Sequence, residues 1–527
     1  MTDTIVLGLD GATWDVLDPL VEAGRMPNLE AVLADGRRGV LESTVPPVTA
    51  PAWLSMATGQ NPGKTGVYYF LNRTDPDSYD FEPMSAEDFR GKSFWDVLAD
   101  DDTSVGVFNF PVLHPPYDLG EGSFVVSGFG ASAEGGLTAP AELEAELDEV
   151  TGGYEYKVPY ADPKYTDRPE RLEADLHRVL EKQETAMVHL LEKRPDVFFG
   201  VVSVTDWAQH YFWRYHDPDH VLHEPGHEDA LADLFARVDE TVGRVAEFAE
   251  AEGATLLVVS DHGFGPTNGT FYSNEWLEQE GFRVPESRGV VGRLRSEYFP
   301  YLRRVLEPAV SRVPLLRDLA TSVGRSVRAS AAENIDYERS VAFMANQGLT
   351  SALIYLVDDG PDARRDVTDA LEAFGDERGL NIAVRDAKEI YHGPKVDLGP
   401  DLVVEIEGLE YVANPRYSTA DDVVVERPPV PARSGGHRHE GIYAVTGPDV
   451  APGEGERHHL LDVAPTILAL QGSAVPSEMD GDPMTDAFTD LATVERAPLS
   501  DLVSAQAGDH RGDPDELRDR LEDLGYL

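Results

Sequence analysis

The chain has 527 residues, 96 of them acidic and 44 basic, for a net charge of −52. An anionic surface of this strength repels the phosphate backbone, which excludes generic binding of a nucleic-acid polymer. Cysteine is absent, so disulfides, thiolate metal sites and cysteine nucleophiles are excluded together.

The acids are spread along the chain and only eight lysines occur. Such a surface repels itself at low ionic strength and is screened to roughly 3 Å at molar salt, so the composition points to a halophilic, high-salt cytoplasm. The first residues, MTDTIVLGLDGA, carry no basic and then apolar leader. No apolar run of about 18 residues occurs either, so a cytoplasmic protein without a spanning helix is expected. A chain of this length divides into more than one domain or subdomain.

TIVLGLDG (4–11) is a short apolar run ending in Asp and Gly, the pattern of a buried parallel strand. The next twenty residues read as helix, broken near GRMP. PPVTAPAWLSMATG (46–59) sets Thr49 among prolines: Pro46 and Pro47 favour extended geometry before it, and Pro51 suits a first helical turn. Thr49 is therefore expected at or near an N-cap, its hydroxyl where negative charge is favoured. SVGVFNFP (104–111) and FVVSG (124–128) read as strands, and 171–193 as a long amphipathic helix. DVFFGVVSVTD (196–206) is a buried strand ending in an acid, 230–253 a helix, and ATLLVVSDHGFG (254–265) a strand with a polar end. Strands alternating with helices predict an α/β fold around a mostly parallel sheet.

From about 285 the character changes. Residues 288–328 are arginine-rich and helical in pattern, followed by strand, helix and strand signals in ALIYLV, DARRDVTDALEAFG and LNIAVRDAKEIY. HEGIYAVTGPDV (439–450) resumes a core-like strand, and 460–472 is a helix begun by a proline turn. The expected organisation is a catalytic core of 1–284 and 426–490, an inserted cap of 285–425, and a peripheral tail of 491–527.

Polar groups collect at the predicted strand ends: Asp10, Asp206, Asp261 and His262. Ligands in open α/β sheets bind outside these carboxyl ends. His210 stands four residues after Asp206, one helical turn on, and GGHRHEG (435–441) adds His437 or His439. Taken singly, Asp10 is as readily a helix cap, and Asp206 with His210 a surface ion pair. Carboxylates and imidazoles without thiolates suit divalent zinc or manganese, and two such ions can clamp an in-line phosphoryl transfer. Thr49 then becomes a candidate nucleophile.

VLGLDG, PPVTAPAWLSMATGQNPGKTG, the Asp206–His210 pair, SDHGF and GGHRHEG, in this order, resemble the type I phosphodiesterase/nucleotide pyrophosphatase family of the alkaline phosphatase superfamily. The segment DVAPTILALQGSAVPSEMDG resembles that family's C-terminal core. The resemblance implies an alkaline-phosphatase-like three-layer sandwich with an inserted cap, and two divalent metal ions. One would be held by Asp10, Thr49, Asp261 and His262, and the other by Asp206, His210 and His437. His437 is preferred to His439 on the pattern GxHxxxG, and Asn109 is a weaker candidate for touching substrate. The implied activity is hydrolysis of a small phosphodiester or pyrophosphate-type substrate through a phosphothreonine. The alternatives on the same core are a monoesterase, a phosphonate hydrolase, a phosphoryl transferase or a non-catalytic binding protein.

Two lookalikes fail. TGQNPGKTG has three residues between Gly59 and Gly63 where a phosphate loop needs four. A sulfatase needs Cys or Ser at the nucleophile and Arg four positions on, where this chain has Thr49 and Trp53. His216, His220, His223 and His227 lie in a loop-like composition that predicts solvated surface.

Overall fold

The Thr4–Leu9 strand is buried at every position and lies in the interior of a ten-stranded sheet. Its unbroken apolar run follows from that place, since helices and strands leave neither face in water. The computed structural model describes residues 2–132, 135–166, 168–286, 335–345, 350–357, 360–491 and 495–504. The arginine-rich 288–328 stretch and most of the expected 491–527 tail lie outside these residues.

The chain divides into two compact units, one of Met1–Asn268, Lys388–Gly399 and Val430–Leu527, the other of Gly269–Ala387 and Pro400–Pro429. In the first unit, five strands run parallel in the order Thr255–Val259, Thr4–Leu9, Val197–Val202, Val105–Phe110 and Phe124–Ser127. Glu440–Thr446 joins antiparallel beside Thr255–Val259 and pairs on its other edge with Arg37–Glu42. The α/β class with a mostly parallel central sheet, expected from the alternating pattern, is the observed one.

Helix Ala230–Glu252 packs against Pro27–Ala34, Pro169–Leu191 and Val204–His216, and Thr49–Thr58 packs against Val463–Leu470. Every residue of the Thr49–Thr58 helix is buried. Trp53 explains much of this, as its ring meets Phe110 and Phe199 edge-on at 5.4 and 6.0 Å. A buried aromatic body of this size anchors the helix against the sheet.

The second unit has its own sheet, in the order Ala342–Met344, Ala352–Leu356, Leu402–Ile406, Tyr411–Asn414, Gly269–Tyr272 and Val424–Val425. Ile382–Asp386 pairs along Leu402–Ile406 after the Pro361–Arg378 helix, as the strand–helix–strand pattern predicts. The unit begins at Gly269, and Lys388–Gly399 belongs to the first unit, where the insert expected from sequence was one run, 285–425. Within the first unit, Tyr391 of the Lys388–Gly399 segment donates its hydroxyl to Val45 O, and Lys395 donates its N–H to Gly63 O at 2.9 Å.

Candidate metal centre

Asp10 follows directly on the Thr4–Leu9 strand, and its N–H donates to Val202 O at 3.1 Å. Gly11 then turns with φ +67°, and its N–H donates to Asp261 Oδ1 at 3.2 Å. A side chain at Gly11 would meet Phe264 at 2.9 Å, so glycine is required both by the dihedral and by space. Asp261 and His262 come after the Thr255–Val259 strand, one residue further on.

Asp206 departs from expectation in its setting. The strand stops at Val202, and Val204–His216 is already helical, so Asp206 sits in a first helical turn rather than at a strand end. Four residues separate it from His210 on one face of that helix. His437 lies in the Gly435–Arg438 strand, which pairs antiparallel with Gly263–Pro266 and sets His437 opposite Phe264.

These segments bring two groups of ligand atoms together: Asp206, His210 and His437, and Asp10, Asp206 and His262, each within 4.8 Å. Asp206 belongs to both, where the resemblance divides the ligands into separate sets. Its Oδ1 is 3.3 Å from His437 Nε2 and 3.5 Å from His210 Nε2. His262 Nε2 is 3.3 Å from Asp261 Oδ2 and 3.8 Å from Asp10 Oδ1. Thr49 is the first residue of its helix, one place inside the Val48 N-cap. Pro47, two residues before it, accepts from His437 Nδ1 at 2.8 Å.

The imidazole tautomers follow from their partners. His210 Nδ1 faces Gly435 O at 2.8 Å and His437 Nδ1 faces Pro47 O, so both Nδ1 atoms donate. Their Nε2 lone pairs then face each other at 3.0 Å. Two acceptors at that distance repel unless a cation lies between them and Asp206. Backbone carbonyls on the far nitrogen are the usual support of a metal-ligating histidine. Four further buried atoms make no hydrogen bond: Asp10 Oδ1, Thr49 Oγ1, Asp261 Oδ2 and His262 Nε2. Unsatisfied buried polar groups are costly, and a divalent cation satisfies this set.

Burial, and then the charges of Asp261 and Asp206, push the Asp10 carboxyl well above the usual carboxylate range. Burial and Asp206 raise Asp261 likewise, against the pull of the Gly11 N–H. Burial holds His210 and His437 down at about 3, with Arg433 nearby disfavouring a charged ring in each. Burial and then His437 keep His262 well below its ordinary value. Neutral imidazoles beside crowded carboxyls form a donor set that suits a divalent cation.

His439 is half-buried just past the Gly435–Arg438 strand and is not in either ligand group. Asn109 is buried in its strand at φ +53°, donating Nδ2 to Val201 O at 2.8 Å, and is likewise outside the ligand groups. His220, expected on solvated surface, is buried. Its Nε2 contacts Thr267 O at 3.0 Å and Ser434 O at 3.1 Å, and its Nδ1 accepts from Leu222 N–H. It closes the end of the strand pair that carries His437, and the polar composition around it concealed that role. Lys64 of the phosphate-loop lookalike pairs with Asp480.

The profile of the family described as Type I phosphodiesterase / nucleotide pyrophosphatase matches residues 4–341, more than half of the chain. A search of curated proteins by sequence finds no match. Among solved structures, phosphonoacetate hydrolase from Sinorhizobium meliloti in complex with phosphonoformate aligns with a TM-score of 0.55 at 18% identity. That alignment covers 88% of this chain and 94% of the other. Human ectonucleotide pyrophosphatase/phosphodiesterase 5 aligns with a TM-score of 0.51 at 11% identity, covering 93% and 99%. These likenesses show the fold, an alkaline-phosphatase-like α/β architecture. Among the described residues no helix is long and apolar enough to cross a membrane.

Proposed function

The chain belongs to the type I phosphodiesterase/nucleotide pyrophosphatase family of the alkaline phosphatase superfamily, and from that premise we propose that it hydrolyses small phosphodiester or pyrophosphate-type substrates through Thr49. The observation that carries the proposal is the meeting of His210 and His437 Nε2 at 3.0 Å beside Asp206, with both Nδ1 atoms already bonded to carbonyls. Asp206, His210 and His437 would hold one divalent cation, and Asp10, Asp261, His262 and Thr49 a second, with Asp206 common to the two groups of ligand atoms. When bound, such cations supply Lewis acidity toward phosphoryl oxygens and ease the loss of a proton from an alcohol or water.

The chain's own part begins at the Thr49–Thr58 helix. Thr49 Oγ1 is buried without a hydrogen-bond partner, so no competing bond has to break before it attacks. In-line attack forms the Oγ1–P bond and breaks the bond from phosphorus to the leaving oxygen. That oxygen departs as an alcohol carrying the threonine proton or as a phosphate, and leaves a phosphothreonine still esterified to the rest of the substrate. Water then attacks phosphorus, breaks the Oγ1–P bond, releases a phosphomonoester and returns a proton to the threonine oxygen. The helix N-terminus at Thr49 favours the negative charge that builds up on the phosphoryl oxygens. Burial keeps the three histidines neutral, able to donate lone pairs throughout.

The test compares bis-nitrophenyl phosphate with nitrophenyl phosphate at molar KCl, after chelation and return of zinc or manganese. Metal-restored diesterase activity that falls by at least 10³-fold in Thr49→Ala supports the proposal (an order-of-magnitude expectation for losing a nucleophile). Undiminished turnover in Thr49→Ala removes threonine from the chemistry. A monoester preference moves the substrate class while leaving the metal site.

A further inference from the structure

Pro46 and Pro47 have no N–H, so the turn that leads into Thr49 has few donors of its own and is fixed through its carbonyls. Thr44 Oγ1 and the Val48 N–H donate to Pro46 O at 2.8 and 3.0 Å. His437 Nδ1 donates to Pro47 O at 2.8 Å, and the Tyr391 hydroxyl donates to Val45 O. Three consecutive carbonyls ahead of Thr49 are thus occupied. One is held by a ligand histidine, and one by a tyrosine 346 residues further along the chain.

Tyr391 belongs to Lys388–Gly399, a segment of the first unit flanked in the chain by Ala387 and Pro400 of the second. The segment is seated on the residues that follow the Thr49–Thr58 helix. The Lys395 N–H donates to Gly63 O at 2.9 Å, Lys395 Nζ to Thr65 O at 2.8 Å, and the His392 N–H to Asn61 Oδ1 at 3.2 Å. Gly63, one of the glycines that imitate a phosphate loop, serves this seat, because a Cβ there would come within 2.6 Å of His392 O. The Tyr391 ring is buried and meets Tyr68 edge-on at 4.9 Å, and the Tyr68 hydroxyl donates to Lys395 O at 2.9 Å. The segment therefore holds the chain on both sides of the Thr49–Thr58 helix, and Tyr391 reaches the side that carries Thr49. We propose that Tyr391 is a positioning residue, whose hydrogen bond to Val45 O sets the turn from which Thr49 attacks. Lys388–Gly399 thereby becomes a working part of the phosphoryl-transfer site. Misplacing an attacking atom by about 1 Å costs about 10²-fold in rate, so one hydrogen bond at this turn has leverage on the chemistry.

The inference rests on Thr49 being the nucleophile, and the experiment separates the two ideas. The full chain is made with Tyr391→Phe, which keeps the ring against Tyr68 and removes the hydroxyl. Tyr68→Phe is the control, since it takes a hydrogen bond from the same segment but none from the turn. Turnover of bis-nitrophenyl phosphate is read at saturating manganese and molar KCl. Amide exchange of peptides spanning 43–58 is read on the same chains by mass spectrometry. In Tyr391→Phe, kcat falls by about 10- to 100-fold at parental KM and parental manganese affinity. Exchange across 43–58 quickens by about 2- to 10-fold, the equilibrium worth of one hydrogen bond. Tyr68→Phe keeps parental kcat and parental exchange. Parental kcat or parental exchange in Tyr391→Phe overturns the role of Tyr391. An equal loss in Tyr68→Phe overturns it as well, since docking of the segment is then sufficient. A raised KM at unchanged kcat overturns it too, because Tyr391 then acts on substrate binding. A parent chain without turnover overturns the function assigned to Thr49 itself, and the exchange comparison still decides whether Tyr391 holds the turn.

Discussion

Asp206 belongs to both ligand groups, so Asp206→Asn separates this centre from one built of two independent sites. A cation at 100 times its dissociation constant stabilises the folded chain by about 2.7 kcal/mol per site. At about 2.1 cal/mol/K per residue, the first unit of roughly 380 residues unfolds with an entropy near 0.8 kcal/mol/K. Each site is then worth about 3.5 °C in Tm, and both together about 7 °C. Asparagine keeps the shape of the side chain and removes its charge from an oxygen 3.3 and 3.5 Å from the two facing Nε2 atoms. Removing one partner from a buried charge interaction costs about 3–5 kcal/mol, more than either site supplies at this metal level. The metal-induced shift in Asp206→Asn should therefore fall below about 1 °C, whereas His210→Ala, in one group only, should keep about half of it. The metal-free variant should melt no lower than the metal-free parent, because the Asp206 charge works against Asp10 and Asp261. Scanning calorimetry with and without chelator reads all of these. A full or half-sized metal shift in Asp206→Asn refutes the shared-ligand geometry, and no shift in the parent refutes the metal centre.

Gly11→Ala should lose about 2–4 kcal/mol, from a left-handed alanine and the displacement of Phe264, measured by denaturant unfolding. A loss under about 0.5 kcal/mol would contradict the geometry of that turn. His220→Leu leaves the Thr267 and Ser434 carbonyls without their shared donor and should lower manganese affinity at the His437 step. His220→Gln, which keeps a donor and an acceptor, should restore it, and equal affinity in Leu and Gln variants counts against the bridge. Asp96 has its carboxyl raised by burial to about 7, against an unfolded value of 3.8. The folded state therefore holds the extra proton. The stability that Asp96 supplies is complete below about pH 4 and declines as pH rises through 7. Asp96→Asn should thus gain Tm relative to the parent between pH 4 and 7.5, and a constant difference across that range would contradict the burial effect.

Much of this was legible in residue order. The apolar runs of Thr4–Leu9, Val197–Val202 and Thr255–Val259 announced buried parallel strands, because a strand covered on both faces needs no polar alternation. The break at GRMP separated two helices, observed at Trp14–Glu22 and Pro27–Ala34. Acids and histidines just beyond apolar runs marked candidate ligands, since a charged group at that place is seldom spent on packing. The helix–strand boundary near Asp206 was not legible. VVSVT is equally apolar as either element, and only packing of the Val204–His216 helix against its neighbours decides between them. His220 was hidden for the opposite reason: a polar loop composition says nothing about which of its residues turns inward to carbonyls contributed by Thr267 and Ser434.

By itself, the sequence determined the α/β class, the absence of thiol chemistry and the residue types available to the site. These depend on composition and on periodicity within single elements, where near neighbours suffice. Tertiary structure alone decided that Asp206 is common to two groups of ligand atoms and that His437 rather than His439 faces His210. Each depends on strand register and helix docking that join residues as far apart as Asp10, Asp206 and His437. A one-residue slip in the Gly263–Pro266 and Gly435–Arg438 pairing would send His437 to the other face, and no local pattern in the chain records that register.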